Sequence, residues 1–191
     1  MIAPSCRVNP SVLGLLIGQP PDRRLAFWMS CAPGELELRA EVESLPGKQV
    51  QSVIRALGPD DRRLRPIAEL IAARARLAGH DMAGAARAVA TAATLVEGTE
   101  RLSLKSELTM VTAEVEVAEG RIDDACRRLN VLGTTLRQSG LVLHELERRL
   151  LALRIDRAAG RPDGRAGAVA LEKDARALGA GLIAKRAVTP L

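Results

Sequence analysis

The stretch AGHDMAGAARAVATAATLVEGTERLSLKSELTMVTAEVEVAEGRIDDACRRL (78–129) decides the fold of this chain. Glycines close each run of apolar and charged residues within it, at Gly79, Gly98 and Gly120. Four more glycines continue the series at a spacing of 19 to 22 residues, namely Gly58, Gly140, Gly160 and Gly179. Glycine is common just past a helix end because it adopts the left-handed backbone conformation without a steric penalty. The pattern therefore predicts a succession of helices.

Apolar spacing between the glycines predicts where these helices lie. In the clearest case, apolar residues recur every four or three positions along one helix face: Leu104, Leu108, Val111, Val115 and Ala118. We expect helices at 48–57, 61–78, 81–97, 100–119, 122–138, 141–159, 166–178 and 182–187. Asp81 is a cap candidate at the start of the helix 81–97, because a short polar side chain there can bond free backbone amides. The helix 100–119 starts behind Thr99. The apolar face of helix 141–159 is wide enough to contact two neighbours.

The glycines fall into two alternating registers. Gly79, Gly120 and Gly160 are 41 and 40 residues apart, whereas Gly98, Gly140 and Gly179 are 42 and 39 apart. The repeating unit is therefore a two-helix hairpin of about 40 residues, a period typical of solenoids. Short links make the paired helices antiparallel. The predicted fold class is all-α, an α-solenoid of about three antiparallel hairpins preceded by an irregular N-terminal segment.

The N-terminal part of the chain follows a different pattern. Residues 1–24 contain four prolines and little periodicity, which predicts irregular structure. Residues 35–42 (ELELRAEV) alternate as in a strand, yet Leu38, Val42 and Leu45 also have helical spacing. In an otherwise helical chain we favour the helix. We divide the chain into an irregular segment, residues 1–47, and a helical-repeat domain, residues 48–191.

Composition restricts the core and the partners. Phe27 and Trp28 are the aromatic residues of the chain, so any core beyond residue 60 consists of aliphatic side chains. The net charge is +5, with 28 basic residues, four of which are lysine. We interpret the arginine excess as a coding bias on solvated helix faces, because acids are interleaved with it and no aromatic residues accompany it for base stacking. Nucleic-acid binding is disfavoured, and the DNA-binding alternative would use Arg62, Arg63, Arg65, Arg127 and Arg128.

Residues with reactive side chains form no catalytic pattern. Cys6, Cys31 and Cys126 lack the close pairs of a zinc site or a disulfide framework. His144 and Glu147 have the spacing of a metal-binding pair, but no third ligand follows at helical spacing. Phosphate-binding glycine motifs and GxSxG do not occur. We expect no enzyme activity, cofactor or metal.

The apolar stretch SVLGLLIG (11–18) is too short to cross a bilayer. It also lacks the features of a signal peptide, because prolines interrupt it and only Arg7 precedes it as a basic residue. We therefore expect a cytoplasmic protein with no membrane partner.

Small residues flank the hairpin glycines in AGHDMAGAARA (78–88) and EGRIDDACRRL (119–129), and these segments resemble tetratricopeptide repeats. The tail ALEKDARALGAGLIAKRA (170–187) is similar to the closing segment of helical-repeat regions in bacterial signalling and transcriptional regulators. The resemblance covers about residues 60–187. The unit is longer than the common 34-residue form, the aromatic positions are empty and the closing proline is missing, so a HEAT-like array is the alternative.

The resemblance implies a non-enzymatic scaffold for protein–protein interaction. The first helix of each hairpin would line a concave groove that binds a peptide, a protein domain or a second copy of the chain. Candidate contacts are the polar residues Glu69, Arg76, Glu107, Glu114, Glu147 and Arg154. The alternative function is the sensor or assembly part of a bacterial transcriptional regulator or kinase, with the DNA-binding or catalytic domain absent from this sequence.

Overall fold

A computed structural model describes residues 65–161 and 164–189. Within these ranges the chain forms seven helices and no strand, which confirms an all-α fold there. The helices are α1 (Arg65–Ala78), α2 (Met82–Val96), α3 (Leu102–Ala118), α4 (Ile122–Ser139), α5 (Val142–Ala158), α6 (Gly164–Ala177) and α7 (Gly181–Val188). From α2 onward both ends of each helix lie within two residues of the prediction. The predicted helix 48–57 and the segment 1–47 lie outside the described residues.

The turns after α1, α3 and α5 share one backbone geometry. Each has a residue of positive φ, at His80, Gly120 and Gly160, followed by an N–H that donates to the carbonyl five residues earlier. These hydrogen bonds measure 2.8 Å at Asp81, 2.8 Å at Arg121 and 2.9 Å at Arg161. This is the Schellman arrangement, which satisfies carbonyls at a helix end and reverses the chain.

The first of these turns differs from the prediction. Gly79 keeps a helical bond, donating its N–H to the Ala75 carbonyl at 3.1 Å, and the left-handed residue is His80 with φ 59°. Gly79 therefore lies one residue before the position that takes the left-handed conformation. At the equivalent turn after α3, Gly120 itself takes the positive φ of 81°.

Two helix starts also test the sequence interpretation. The Asp81 carboxylate accepts the Gly84 N–H at 2.8 Å, so its predicted capping role is confirmed. Helix α3 begins after Arg101, two residues later than the predicted start behind Thr99, and no side chain caps its amides. The Thr99 hydroxyl instead accepts the N–H of Arg101 at 3.3 Å, outside the helix.

Three apolar clusters follow one another along the described chain. The first joins α1, α2 and α3, the second joins α3, α4 and α5, and the third joins α5, α6 and α7. Helix α3 reaches two clusters because Leu104 and Val111 face one while Met110 and Ala113 face the other. Helix α5 likewise places Ile155 in the second cluster and most of its leucines in the third, as its wide apolar face predicts.

Helices α2 and α4 bury equivalent positions, but α6 departs from them. Gly84 and Ala88 on α2 correspond to Ala125 and Leu129 on α4, and all four are buried. The corresponding residues of α6, Ala166 and Ala170, are exposed. Helix α6 buries Ala168, Leu171 and Ala175 instead, facing α5 and α7. None of the described helices is both long enough and apolar enough to cross a membrane.

The strained turn at His80 yields a testable prediction. Replacing His80 by glycine should stabilise the fold by about 0.5–1 kcal/mol, because a side chain in the left-handed region carries a steric cost that glycine lacks. The reciprocal change Gly120→His should destabilise it by about 1–2 kcal/mol. Urea unfolding followed by far-UV circular dichroism measures both. Equal stability of wild type and His80→Gly would contradict the assigned turn.

Candidate functional site

A groove of about 400 Å³ opens on the face formed by α1, α3 and α5. Its apolar side chains come from all three helices, with Leu77 on α1, Val117 on α3, and Leu151 and Ile155 on α5. Ala78 and Ala158 also line the groove, and its polar residues are Arg74, Glu114 and Arg154. An extended segment lying across the three helices would therefore meet an apolar floor with charges beside it.

The Arg74 guanidinium joins α1 to α3 at this groove. Its Nε donates to Glu114 Oε2 at 2.7 Å and its Nη2 donates to Glu114 Oε1 at 3.0 Å. A third donor, Nη1, bonds Glu107, two turns before Glu114 on α3. Both oxygens of Glu114 are thus engaged by one fork-shaped group, a geometry specific to arginine.

Burial and the two neighbouring carboxylates have opposite effects on the pKa of Arg74. The Arg74 side chain is 12% exposed, and burial by itself would lower its pKa. The carboxylates of Glu114 and Glu107 outweigh this effect and raise the pKa of Arg74 above its ordinary value. The guanidinium therefore stays charged throughout the pH range in which the protein is handled, and it neutralises part of the two facing carboxylates.

Arg154 also lines this groove, and its charge is available to a ligand. Arg74, Glu114 and Arg154 are 40 residues apart in succession, so equivalent positions of α1, α3 and α5 carry alternating charges. Arg74 already bonds both carboxylate oxygens of Glu114. Arg154 is exposed and forms no ion pair with the described residues. The groove thus presents one cation that an external carboxylate can reach.

The structure brings only part of the predicted contact set to the groove. Glu114 and Arg154 line it, whereas Glu69, Arg76, Glu107 and Glu147 do not. Glu69 is 6% exposed within α1, and Arg76 donates to the Gly84 carbonyl at 2.9 Å, which ties α1 to α2. Glu107 bonds Arg74, and Glu147 is half-buried on α5.

Sequence reasoning missed Arg74 and the four apolar residues of the floor. A signal for Arg74 was present, because residues one repeat apart on successive first helices face each other in a stacked array. Opposite charges at positions 74 and 114 therefore indicate a contact once the 40-residue period is aligned. The floor residues gave no such signal, since apolar residues at helical spacing also form cores.

The arginines considered for DNA binding are engaged with acids where the structure describes them. Arg128 donates to Glu116 at 3.0 and 2.6 Å, and Arg127 pairs with Asp124. The Nε atom of Arg65 lies 3.8 Å from Oε1 of Glu69. Residues 62 and 63 fall outside the described ranges. In the described part of the chain, no three His, Cys, Asp or Glu side chains group as metal ligands, and His144 with Glu147 belongs to no such set.

No protein-family description matches this chain, and comparison with curated proteins and with solved structures gives no match. The likeness to tetratricopeptide repeats therefore depends on the quoted residues and on the packing of the helices.

Removing the Arg74 guanidinium tests its role. Arg74→Met should destabilise the fold by about 3–5 kcal/mol at neutral pH, because it leaves two partly buried carboxylates facing each other. Urea unfolding at neutral pH measures this loss. The matched control Arg154→Met, on the equivalent position of α5, should change stability by less than about 0.5 kcal/mol; similar losses in both variants would contradict the assignment.

The burial of Glu69 makes the stability of the fold depend on pH. Burial raises the pKa of Glu69, and the nearby Arg65 and Arg76 offset this only in part. The folded state thus binds a proton more tightly than the unfolded state, so stability falls as pH rises above the unfolded pKa of about 4.3. Glu69→Gln should therefore be more stable than wild type at neutral pH and equal to it below about pH 4. Denaturation across this range measures the effect, and a less stable variant at neutral pH would exclude it.

Proposed function

We propose that this chain is a non-enzymatic interaction scaffold, a tetratricopeptide-like α-solenoid that binds a segment of a partner protein in the α1/α3/α5 groove. The observation that carries the proposal is the combination of an apolar floor built from three helices with Arg154 as an unpaired cation beside it. Small apolar surfaces with a few oriented polar groups are the usual form of peptide-binding sites.

The packing of the helices supports the solenoid arrangement. Each apolar cluster contains one hairpin and the first helix of the next, and α3 and α5 are each shared by two clusters. Contacts between α1 and α3, between α3 and α5, and between α5 and α7 accompany those within hairpins. A stack in which each unit touches only its neighbours is how helical-repeat proteins bury a continuous core.

The groove chemistry defines the segment that fits it. Leu77, Val117, Leu151 and Ile155 favour an aliphatic side chain, which leaves water on binding. Arg154 favours a carboxylate of the ligand, because Glu114 is already saturated by Arg74 and competes little for it. The partner segment is therefore one in which an acidic residue lies close to an aliphatic one.

The same groove would serve the regulator alternative, in which the array is the sensor or assembly part of a transcriptional regulator or kinase. A cytoplasmic location belongs to this proposal as well, and the free thiol of Cys126 is compatible with a reducing compartment.

The proposal is tested with a phage-displayed library of random peptides selected on the full chain. Enriched peptides should combine acidic and aliphatic residues. Arg154→Glu should weaken their binding at least about tenfold in fluorescence anisotropy, which corresponds to about 1.4 kcal/mol. The control Arg87→Glu makes the same charge change on an exposed position of α2 outside the groove and should leave affinity unchanged.

A double-mutant cycle assigns the contact. Replacing the acidic residue of the peptide by its amide should weaken binding to wild type but not to Arg154→Glu. Failure to enrich any peptide, or equal affinities for the Arg154→Glu and Arg87→Glu variants, would overturn the proposed function. Far-UV circular dichroism confirms that each variant keeps its helix content.

A further inference from the structure

A second and larger opening, which we call the α3/α4 cleft, has a volume of about 680 Å³ and is distinct from the groove. It is lined by side chains of α3 and α4 together with the turn between them. Its charged residues are Lys105, Glu116, Arg121, Asp124, Arg127 and Arg128. Four of these are cations and two are acids, so the lining carries a net charge of +2.

A buried carboxylate holds two of the four cations of this cleft, Arg128 and Arg121. Glu116 is 3% exposed and accepts two hydrogen bonds from Arg128, at 3.0 and 2.6 Å. Arg121 approaches the same carboxylate at 3.6 Å. Charge-assisted pairs of this kind hold a guanidinium in one orientation. A ligand would therefore meet cations that are already in place, which reduces the entropy lost on binding.

Lys105 supplies the α3/α4 cleft with an exposed positive charge, and Val131 supplies it with exposed apolar surface. Lys105 is exposed and forms no ion pair with any described residue. Val131 is 71% exposed on α4, beside the 73% exposed Arg127 side chain. Since Leu102 and Leu132 also line the cleft, apolar surface lies next to positive charge. A ligand that complements this surface carries both acidic groups and apolar groups.

Such a segment is present in the sequence of this chain. Residues 35–45 (ELELRAEVESL) contain four glutamates and one arginine, a net charge of −3, interspersed with Leu36, Leu38, Val42 and Leu45. As a strand, the segment would have Leu36, Leu38 and Val42 on one side. As a helix, it would have Leu38, Val42 and Leu45 on one side. The charge has the opposite sign to that of the α3/α4 cleft, and opposite charges favour a particular register as well as rapid association.

We propose that the acidic segment 35–45 docks in the α3/α4 cleft of its own chain. The 19 residues 46–64 connect it to α1. Even with the predicted helices formed over 48–57 and 61–64, their 14 residues span about 21 Å and the other five extend about 17 Å. The link then reaches about 38 Å, which exceeds the length of a 17-residue helix, about 25 Å. A tethered segment has an effective concentration in the millimolar range, so even a weak contact is populated. Docking would close the cleft to other acidic ligands.

The experiment uses the full chain and a fluorescein-labelled peptide with the sequence of residues 34–45. In the quadruple variant Glu35→Gln/Glu37→Gln/Glu41→Gln/Glu43→Gln the net charge of the tethered segment changes from −3 to +1, because Arg39 remains, and the segment leaves the cleft. This variant should bind the peptide at least about tenfold more tightly than wild type in fluorescence anisotropy, because the tethered competitor is absent. Adding Lys105→Glu/Arg127→Glu to it should weaken binding at least about tenfold, through charge reversal of two exposed cations.

A matched control makes the same charge change elsewhere. Arg87→Glu/Lys173→Glu reverses two exposed cations on α2 and α6, and in the quadruple variant it should alter peptide affinity less than about twofold. Equal affinities of wild type and the quadruple variant would overturn the proposal. So would a loss of binding on Arg154→Glu but not on Lys105→Glu/Arg127→Glu, which would move the segment to the groove. Dimerisation of wild type but not of the quadruple variant in sedimentation velocity would move it to a second copy and also overturn the proposal.

Discussion

The bidentate pair between Arg74 and Glu114 is the interaction on which the described array depends. It connects α1 to α3, and its two residues lie 40 positions apart in the chain. The core around it consists of alanine, leucine, isoleucine, valine and methionine, without an aromatic side chain in the described part. Small side chains bring helices close together but bury little area each. The charged fork adds a directional contact that apolar packing lacks, and so fixes how α1 and α3 face each other.

The same use of arginine recurs along the structure. Arg149 bonds Asp174 of α6 at 2.7 Å, Arg157 donates to the Ala187 carbonyl at 2.7 Å, and Arg161 reaches Asp123 at 3.0 Å. Arg148 is 9% exposed and lies against Gly133 of α4, where a Cβ would come within 2.8 Å of its Nε. The interpretation of the arginine excess as a bias on solvated faces is therefore wrong for the buried Arg148, whereas Arg161 is exposed. Long side chains with several donors connect helices, while many exposed arginines remain on the surface.

This arrangement gives the array two faces of different character. The α1/α3/α5 groove has an apolar floor and a single available cation, whereas the α3/α4 cleft has several cations arranged around the buried Glu116. Both arise from the sharing of α3 between two apolar clusters, which exposes its remaining surface on two sides. An interaction scaffold with two such surfaces can bind one ligand while the other surface is occupied. The function proposed for the groove and the docking proposed for the cleft are therefore independent.

The sequence by itself determined the succession of helices, because glycines and apolar spacing act locally through backbone sterics and the helical period. It also determined the capping role of Asp81. Local rules failed where neighbours decide the outcome, as at His80, which takes the left-handed conformation instead of Gly79, and in α6, where packing against α5 and α7 buries Ala168 in place of Ala166. Only the tertiary structure separated the buried Glu69 and the paired Glu107 from the exposed Arg154. The physical reason is that burial and ion pairing depend on residues tens of positions away, whose distance no local pattern encodes.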